Sequence, residues 1–197
     1  MTNQKINIVW FKRDLRFTDH EPLFEAQKTG LPILLLYCFE TSMMAHPDAD
    51  VRHWRFVNES LLEMNGRLKA LDAQLFIFHD EVLTVLLEIS KNYSIQNIFS
   101  HQEVGNRLSF DRDIAVAEFC KKENITWREY QLNGVIRKLK SRKTWEPRWE
   151  KYMAEYPKLV PEENWNILKL DEKLYIKLKG NPLDSEITTR NKNFQEG

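Results

Sequence analysis

The sequence predicts an α/β fold: a five-stranded parallel sheet in the order 3-2-1-4-5, with helices on both faces and an extended connector after it. Three observations carry that prediction. Apolar, strand-like runs alternate with helix-like segments from Ile6 to about Tyr130. One run, Pro32–Phe39 (PILLLYCF), is apolar almost throughout, as a strand covered on both faces must be. One later segment spaces Trp54, Val57, Leu61, Met64, Leu68 and Leu71 three or four residues apart, a continuous helical stripe.

The elements follow in order. Ile6–Phe11 (INIVWF) is the first strand, and Asp19 is expected to cap the helix after it. Pro32–Phe39 is the second strand, and the long stripe is the helix that follows it. Gln74–Phe78 (QLFIF) supplies the third strand; Asp80 then caps a helix carrying Leu83, Leu86, Leu87 and Ile89. Ile98–Ser100 marks the fourth strand, followed by a helix from about Ser109 to Lys122 with Phe110, Ile114, Ala117 and Cys120 on one face. Ile125–Glu129 (ITWRE) is the fifth strand. Strands and helices alternating in this way build a Rossmann-like sheet through right-handed crossovers. The domain spans 1–133, and 134–197 reads as a linker. Within the linker a helix is expected between Lys143 and Glu155, and beyond it Pro157, Pro161 and Pro182 suit a connector draped over a surface.

Composition narrows the function. Twenty-nine Lys and Arg balance 29 Asp and Glu, so any anion-binding surface must be local. No signal-peptide pattern and no apolar run near the ~20 residues of a membrane span is present, so the expectation is a cytoplasmic protein with no membrane partner. Neither G-x-G-x-x-G nor a P-loop follows the first strand, which weighs against a dehydrogenase or a P-loop NTPase. His20, His46, His53, His79 and His101 lack a partner at metal-ligand spacing, so no metal site is expected. No nucleophile elbow is present, and Cys38 reads as a small buried filler. Arg13 and Arg16 bracket Asp14, a pattern that also suits a structural ion-pair turn.

An open parallel sheet binds ligands beyond the C-terminal ends of its strands, where strand order reverses. For the order 3-2-1-4-5 that crevice lies between strands 1 and 4. Lys12-Arg13-Asp14, Cys38-Phe39-Glu40 and His101-Gln102-Glu103 stand at the strand ends there. Downstream, Arg137 to Trp149 mixes cations with Trp145 and Trp149. Two readings of that segment stay open: one helical face docks both rings onto the domain, or cations and rings together track a nucleic acid.

The segment VWFKRDLRFTDHEPL (Val9–Leu23) resembles the opening of the DNA photolyase/cryptochrome family, with Lys12 where an arginine is usual and His20-Glu21 in place of Asn-Pro. VRHWRFVNESLLEMNGRL, the Arg112-Asp113-x-x-Val116 helix start and GVIRKLKSRKTWEPRW are similar to later family segments. NFQEG at the end resembles the lead-in to the family's helical domain. The resemblance implies the N-terminal α/β domain of a light-dependent DNA repair flavoprotein of the deoxyribodipyrimidine photolyase type. In such proteins FAD, held by a C-terminal helical domain, passes an electron to a flipped-out pyrimidine dimer after absorbing light. It further implies an antenna chromophore, a folate or a deazaflavin, at Arg13, Cys38, Phe39, Glu40, Gln102, Glu103 and Asn106. The linker then leads to a helical FAD domain absent from this chain, which is expected to be monomeric and inactive alone. The implied partners are the antenna, that helical domain and, for the whole protein, damaged DNA. Two other readings stay open: a cryptochrome-type blue-light sensor, or a free-standing nucleotide- or flavin-binding module.

Overall fold

The computed structural model describes residues 4–137, 139–159 and 165–189. Five parallel strands form one sheet in the order β3-β2-β1-β4-β5: β1 Lys5–Trp10, β2 Ile33–Cys38, β3 Leu75–Phe78, β4 Ser94–His101 and β5 Thr126–Tyr130. The expected order and its two-sided cover are both present. Alternate strand residues face opposite ways, and each set builds its own core. Ile6, Ile8, Trp10, Leu34 and Leu36 pack under α4 (Val82–Ser90) and α5 (Arg107–Lys122). Val9, Phe11, Leu35, Tyr37 and Phe39 pack under α1 (Glu21–Gln27) and α3 (Val51–Lys69). Between β2 and α3, one turn of helix, α2 (Thr41–Met44), follows Glu40.

Local chemistry moves two helix starts from where the sequence suggests. Asp19 does not cap α1: it takes a positive φ of 50°, and His20 caps instead, its Nδ1 accepting from the Leu23 N–H at 3.1 Å. A buried ring thereby replaces the expected carboxylate. Asp80 stands one residue before the α4 cap Glu81, whose N–H it accepts at 2.7 Å.

The larger difference lies in the tail. The expected helix is present as α6 (Trp145–Met153), but residues 165–189 are more than a draped connector. Ile167 bridges Ile33 at the foot of β2, and α7 (Glu172–Leu178) buries Leu174 and Leu178 in the sheet's core beside Leu168 and Leu170. A final turn, α8 (Ser185–Thr188), packs on α3, where Arg55 donates to the Glu186 carbonyl at 2.7 Å. This strap also finishes the sheet. β3 is an edge strand, with outward-facing backbone groups that need partners. At Leu75 the Asn65 side chain of α3 accepts from the N–H (2.8 Å) and donates to the carbonyl (3.0 Å), mimicking a neighbouring strand. At Ile77 the carbonyl accepts from the Tyr175 hydroxyl at 3.3 Å, and the His79 N–H donates to the Lys179 carbonyl at 2.8 Å. Periodicity is weak in the strap because its leucines meet a surface already formed, one contact at a time. Val160, Pro161 and the closing NFQEG lie outside the described residues.

Candidate functional site

The strand ends deliver their residues to one cavity. Beyond β1 come Phe11, Lys12 and Arg13; β2 ends in Cys38, with Glu40 just after; Glu103 follows β4. Between them opens a cavity of about 980 Å³, walled by Tyr37, Met43, Trp54, Val57 and Met64 and rimmed by Arg13, Glu40, Glu103, Asn106 and Arg112. This is the crevice expected at the reversal of strand order.

Arg112 organises the rim. From α5 its guanidinium donates to Glu40 Oε2 (2.7 Å), Glu103 Oε2 (3.2 Å) and Asp113 Oδ1 (2.9 Å), and it lies 4.8 Å above the Trp10 ring. Arg13 reaches Glu103 Oε1 at 2.7 Å, and Lys12 Nζ meets Asp113 Oδ2 at 3.3 Å. Three cations thus face three carboxylates, and planar Arg112 is the residue able to serve several of them at once. Burial raises Glu40's carboxyl above its ordinary value even though Arg112 opposes the shift. Burial acts on Glu103 in the same sense, but Arg112, Arg13 and Lys12 outweigh it and hold that carboxyl below its ordinary value. Burial also lowers Lys12, whose ammonium sits 4.2 Å from the Trp10 ring and 5.2 Å from Trp127.

Of the residues singled out in the sequence, Arg13, Cys38, Glu40, Glu103 and Asn106 line this cavity. Phe39 does not. It is fully buried beneath the wall, packed on Tyr37 and Trp54 with ring centroids 5.1 and 6.2 Å away. Phe39 shares its face of the sheet with Tyr37, which does line the cavity; the Phe39 ring is instead enclosed in the core on that face. Gln102 is not a lining residue either; its N–H donates to the Tyr130 carbonyl at 2.7 Å, extending the β4–β5 ladder. Asn106 caps α5 by accepting from Ser109 N–H at 3.1 Å, and its amide faces the His46 ring at 3.4 Å. Sequence reasoning missed Arg112 as a site residue, together with Met43, His46 and Trp54. The Arg112-Asp113 pair was visible as a helix start, but only the fold aims it at Glu40, 72 residues earlier.

Behind the rim lies a buried clamp. Asp14 Oδ2 accepts from His20 Nε2 at 2.8 Å and from His101 Nδ1, while Oδ1 accepts from the Lys12 N–H at 2.8 Å. Burial alone would raise the Asp14 carboxyl, but the hydrogen bonds from His101 and His20 hold it far below the usual range. An ionised carboxylate only accepts, so both rings donate. His20 is then fully assigned: Nε2–H faces Asp14, Nδ1 accepts from Leu23, and burial lowers its basicity. Asp14, His20 and His101 bring metal-ligand atoms within 4.8 Å of one another, the one such group among the described residues. Here those atoms are spent on each other, pinning the β1–α1 loop to the end of β4. Spacing could not show this, because 87 residues separate His101 from Asp14.

The sequence model of the DNA photolyase family matches residues 7–161. The chain belongs to that family. Cryptochrome DASH of Synechocystis is 32% identical over 102 residues, 49% of this chain and 21% of that protein. Cryptochrome-1 of Sinapis alba is 29% identical over 140 residues, 69% of this chain and 26% of that protein. The photolyase-family fold is equally visible in three dimensions. A Synechocystis cryptochrome superposes with a TM-score of 0.68 at 22% identity, over 92% of this chain and 40% of that one. A Sulfolobus tokodaii photolyase with two FAD molecules gives 0.62 at 20% identity, over 74% of this chain and 35% of that one. The photolyase-family chain therefore spans about a fifth to a quarter of the length of these curated relatives. No helix among the described residues is long and apolar enough to cross a membrane.

Proposed function

We propose that this chain is the antenna-binding α/β domain of a light-driven flavoprotein, and that its cavity holds a folate, deazaflavin or flavin chromophore. The observation that carries the proposal is the cavity of about 980 Å³ at the strand-order reversal, with aromatic walls and a rim of paired charges. A planar heteroaromatic ring suits that combination. Trp54 and Tyr37 supply aromatic wall, Glu40 and Glu103 accept from ring N–H groups, and Arg13 or Asn106 donates to ring carbonyls. Gly105 adds to the fit, since a Cβ there would press into Ser109 Oγ and crowd the Arg13–Glu103 pair. The Sulfolobus relative, described as carrying two FAD molecules and implying a light-harvesting cofactor, supports the same use of the fold.

When bound, the chromophore absorbs light and passes excitation to a second cofactor. The chain's own residues bind it, orient it and shield it from water. In the whole protein that second cofactor is FAD in a helical domain, and the activity is repair of pyrimidine dimers in the cytoplasm. The kinship with Cryptochrome DASH of Synechocystis favours a second reading, in which the same domain serves a blue-light sensor. Light-dependent loss of thymine dimers by the full-length protein separates the two: repair supports the enzyme, and FAD binding without repair supports the sensor.

The cavity is tested directly by titrating the chain with methenyltetrahydrofolate, a deazaflavin and FAD, followed by absorbance. One of them is expected to bind, and Arg13→Ala or Glu103→Ala to weaken it about tenfold, the ~1.4 kcal/mol of one hydrogen-bonded contact. Affinity unchanged in both variants would move the site elsewhere.

A further inference from the structure

We infer that the segment from Lys140 to Lys151 is a nucleic-acid backbone-binding surface carried by this domain itself. A 3₁₀ turn (Arg142–Thr144) leads directly into α6, and α6 buries none of its nine residues. Lys140, Arg142, Lys143, Arg148 and Lys151 project from this stretch, and among the described residues none of the five has a carboxylate partner. Lys12, Arg13, Lys28, Arg52, Lys91, Arg107, Arg112, Arg137, Lys158, Lys169 and Lys177 are paired with carboxylates. Among the described residues, the other cations without such a pair, Lys5, Lys69, Lys121, Lys122 and Lys173 among them, are spread along the chain rather than gathered in one stretch beside aromatic rings.

The acidic residues of α6 do not cancel this charge. At about 100° per residue, Arg148 and Lys151 fall on one flank of the helix and Glu146 and Glu150 on the other. Between the flanks lie Trp145 and Trp149, stacked with centroids 5.7 Å apart. Their docking is real: Trp145 Nε1 donates to the Gly134 carbonyl at 2.6 Å, and a Cβ at Gly134 would collide with Trp149. Yet 38% and 37% of the two residues stay exposed beside the cations. The docking fixes the helix; the exposed ring area and the unpaired cations remain for a ligand. In a chain of zero net charge, a local run of unpaired cations bordering aromatic surface fits a polyanion with stackable bases. Backbone contacts of this kind carry no sequence preference. The inference does not rest on the chromophore reading, and its test uses no chromophore.

The test is fluorescence anisotropy of a short labelled DNA, single-stranded and duplex, titrated with the full chain between about 50 and 200 mM salt. Binding is expected to weaken steeply with salt. The double variant Arg148→Glu/Lys151→Glu should lose at least tenfold in affinity, and the log–log salt slope should fall by about 2. Lys121→Glu/Lys122→Glu, at the far end of α5, changes the net charge equally and should leave most of the binding in place. Circular dichroism checks that both variants fold. No binding by the unmodified chain, or equal losses in the two double variants, would overturn the inference. Salt-sensitive binding to phosphatidylserine vesicles with none to DNA would overturn it in favour of a membrane surface.

Discussion

At the scale of single residues, Arg112 is the group on which the rim depends. Its guanidinium links Glu40 just past β2, Glu103 just past β4 and Asp113 from its own helix, so no single-point cation can replace it. Arg112→Ala leaves the buried Glu40 carboxylate without a cation, while Glu103 keeps Arg13 and Asp113 keeps Lys12, and should cost about 3–5 kcal/mol, measured by urea unfolding. Arg112→Lys should recover only part of that loss. Glu103 was legible as a strand-end residue in the sequence, and so were Arg13 and Glu40. Arg112 was not, because an arginine on a helix has a solvated face as its ordinary fate and nothing local announces three carboxylate partners. Phe39 also stands at a strand end, but its ring is enclosed in the core against Tyr37 and Trp54, a depth that position along the chain does not reveal.

At the scale of elements, the strands and α3 were legible because each repeats one signal many times. Helix α5 lies where expected but its buried face differs: it buries Val116, Phe119 and Cys120, while Phe110 and Ile114 of the expected stripe are exposed. β2 is apolar at every position, and α3 keeps one stripe for five turns. The strap offers no such repetition. Its contacts are single events, such as Ile167 beside Ile33 and Gly180 beside His79, and each is meaningful only once the sheet exists. Gly180 combines a φ of +75° with a position where a Cβ would strike the His79 carbonyl. Gly30 has a similar φ of +71° and open space around it. Gly30→Ala should therefore cost about 1 kcal/mol, the left-handed penalty alone. Gly180→Ala should cost clearly more, since it adds a backbone collision to that penalty. Equal losses of stability in the two variants would mean that the strap is not held where Gly180 places it.

At the scale of the whole molecule, the Asp14 clamp makes stability depend on pH in a definite direction. Asp14 is held below its unfolded value, so its contribution is present above about pH 4 and is lost as pH falls toward the folded value. His20 is held neutral, so below about pH 6.5 the unfolded chain takes up a proton that the folded one refuses. Stability should thus begin to fall near pH 6.5, well before carboxylates titrate. Urea midpoints measured from about pH 7 to pH 5 should decline in the unmodified protein and decline less in His20→Gln, a less stable variant. Matching slopes would remove His20 as the source.

The cover over β3 also has a history in time. The His79 contact with Asn181 spans 102 residues, so the segment that closes this edge is synthesised long after the edge itself. At ribosomal speeds of about 5–20 residues per second, that interval is roughly 5–20 s. For those seconds β3 has the Asn65 amide at Leu75 and no strap. The nascent sheet is therefore a species open to pairing with foreign strands, and a chaperone or a crowded polysome would meet this protein first in that form.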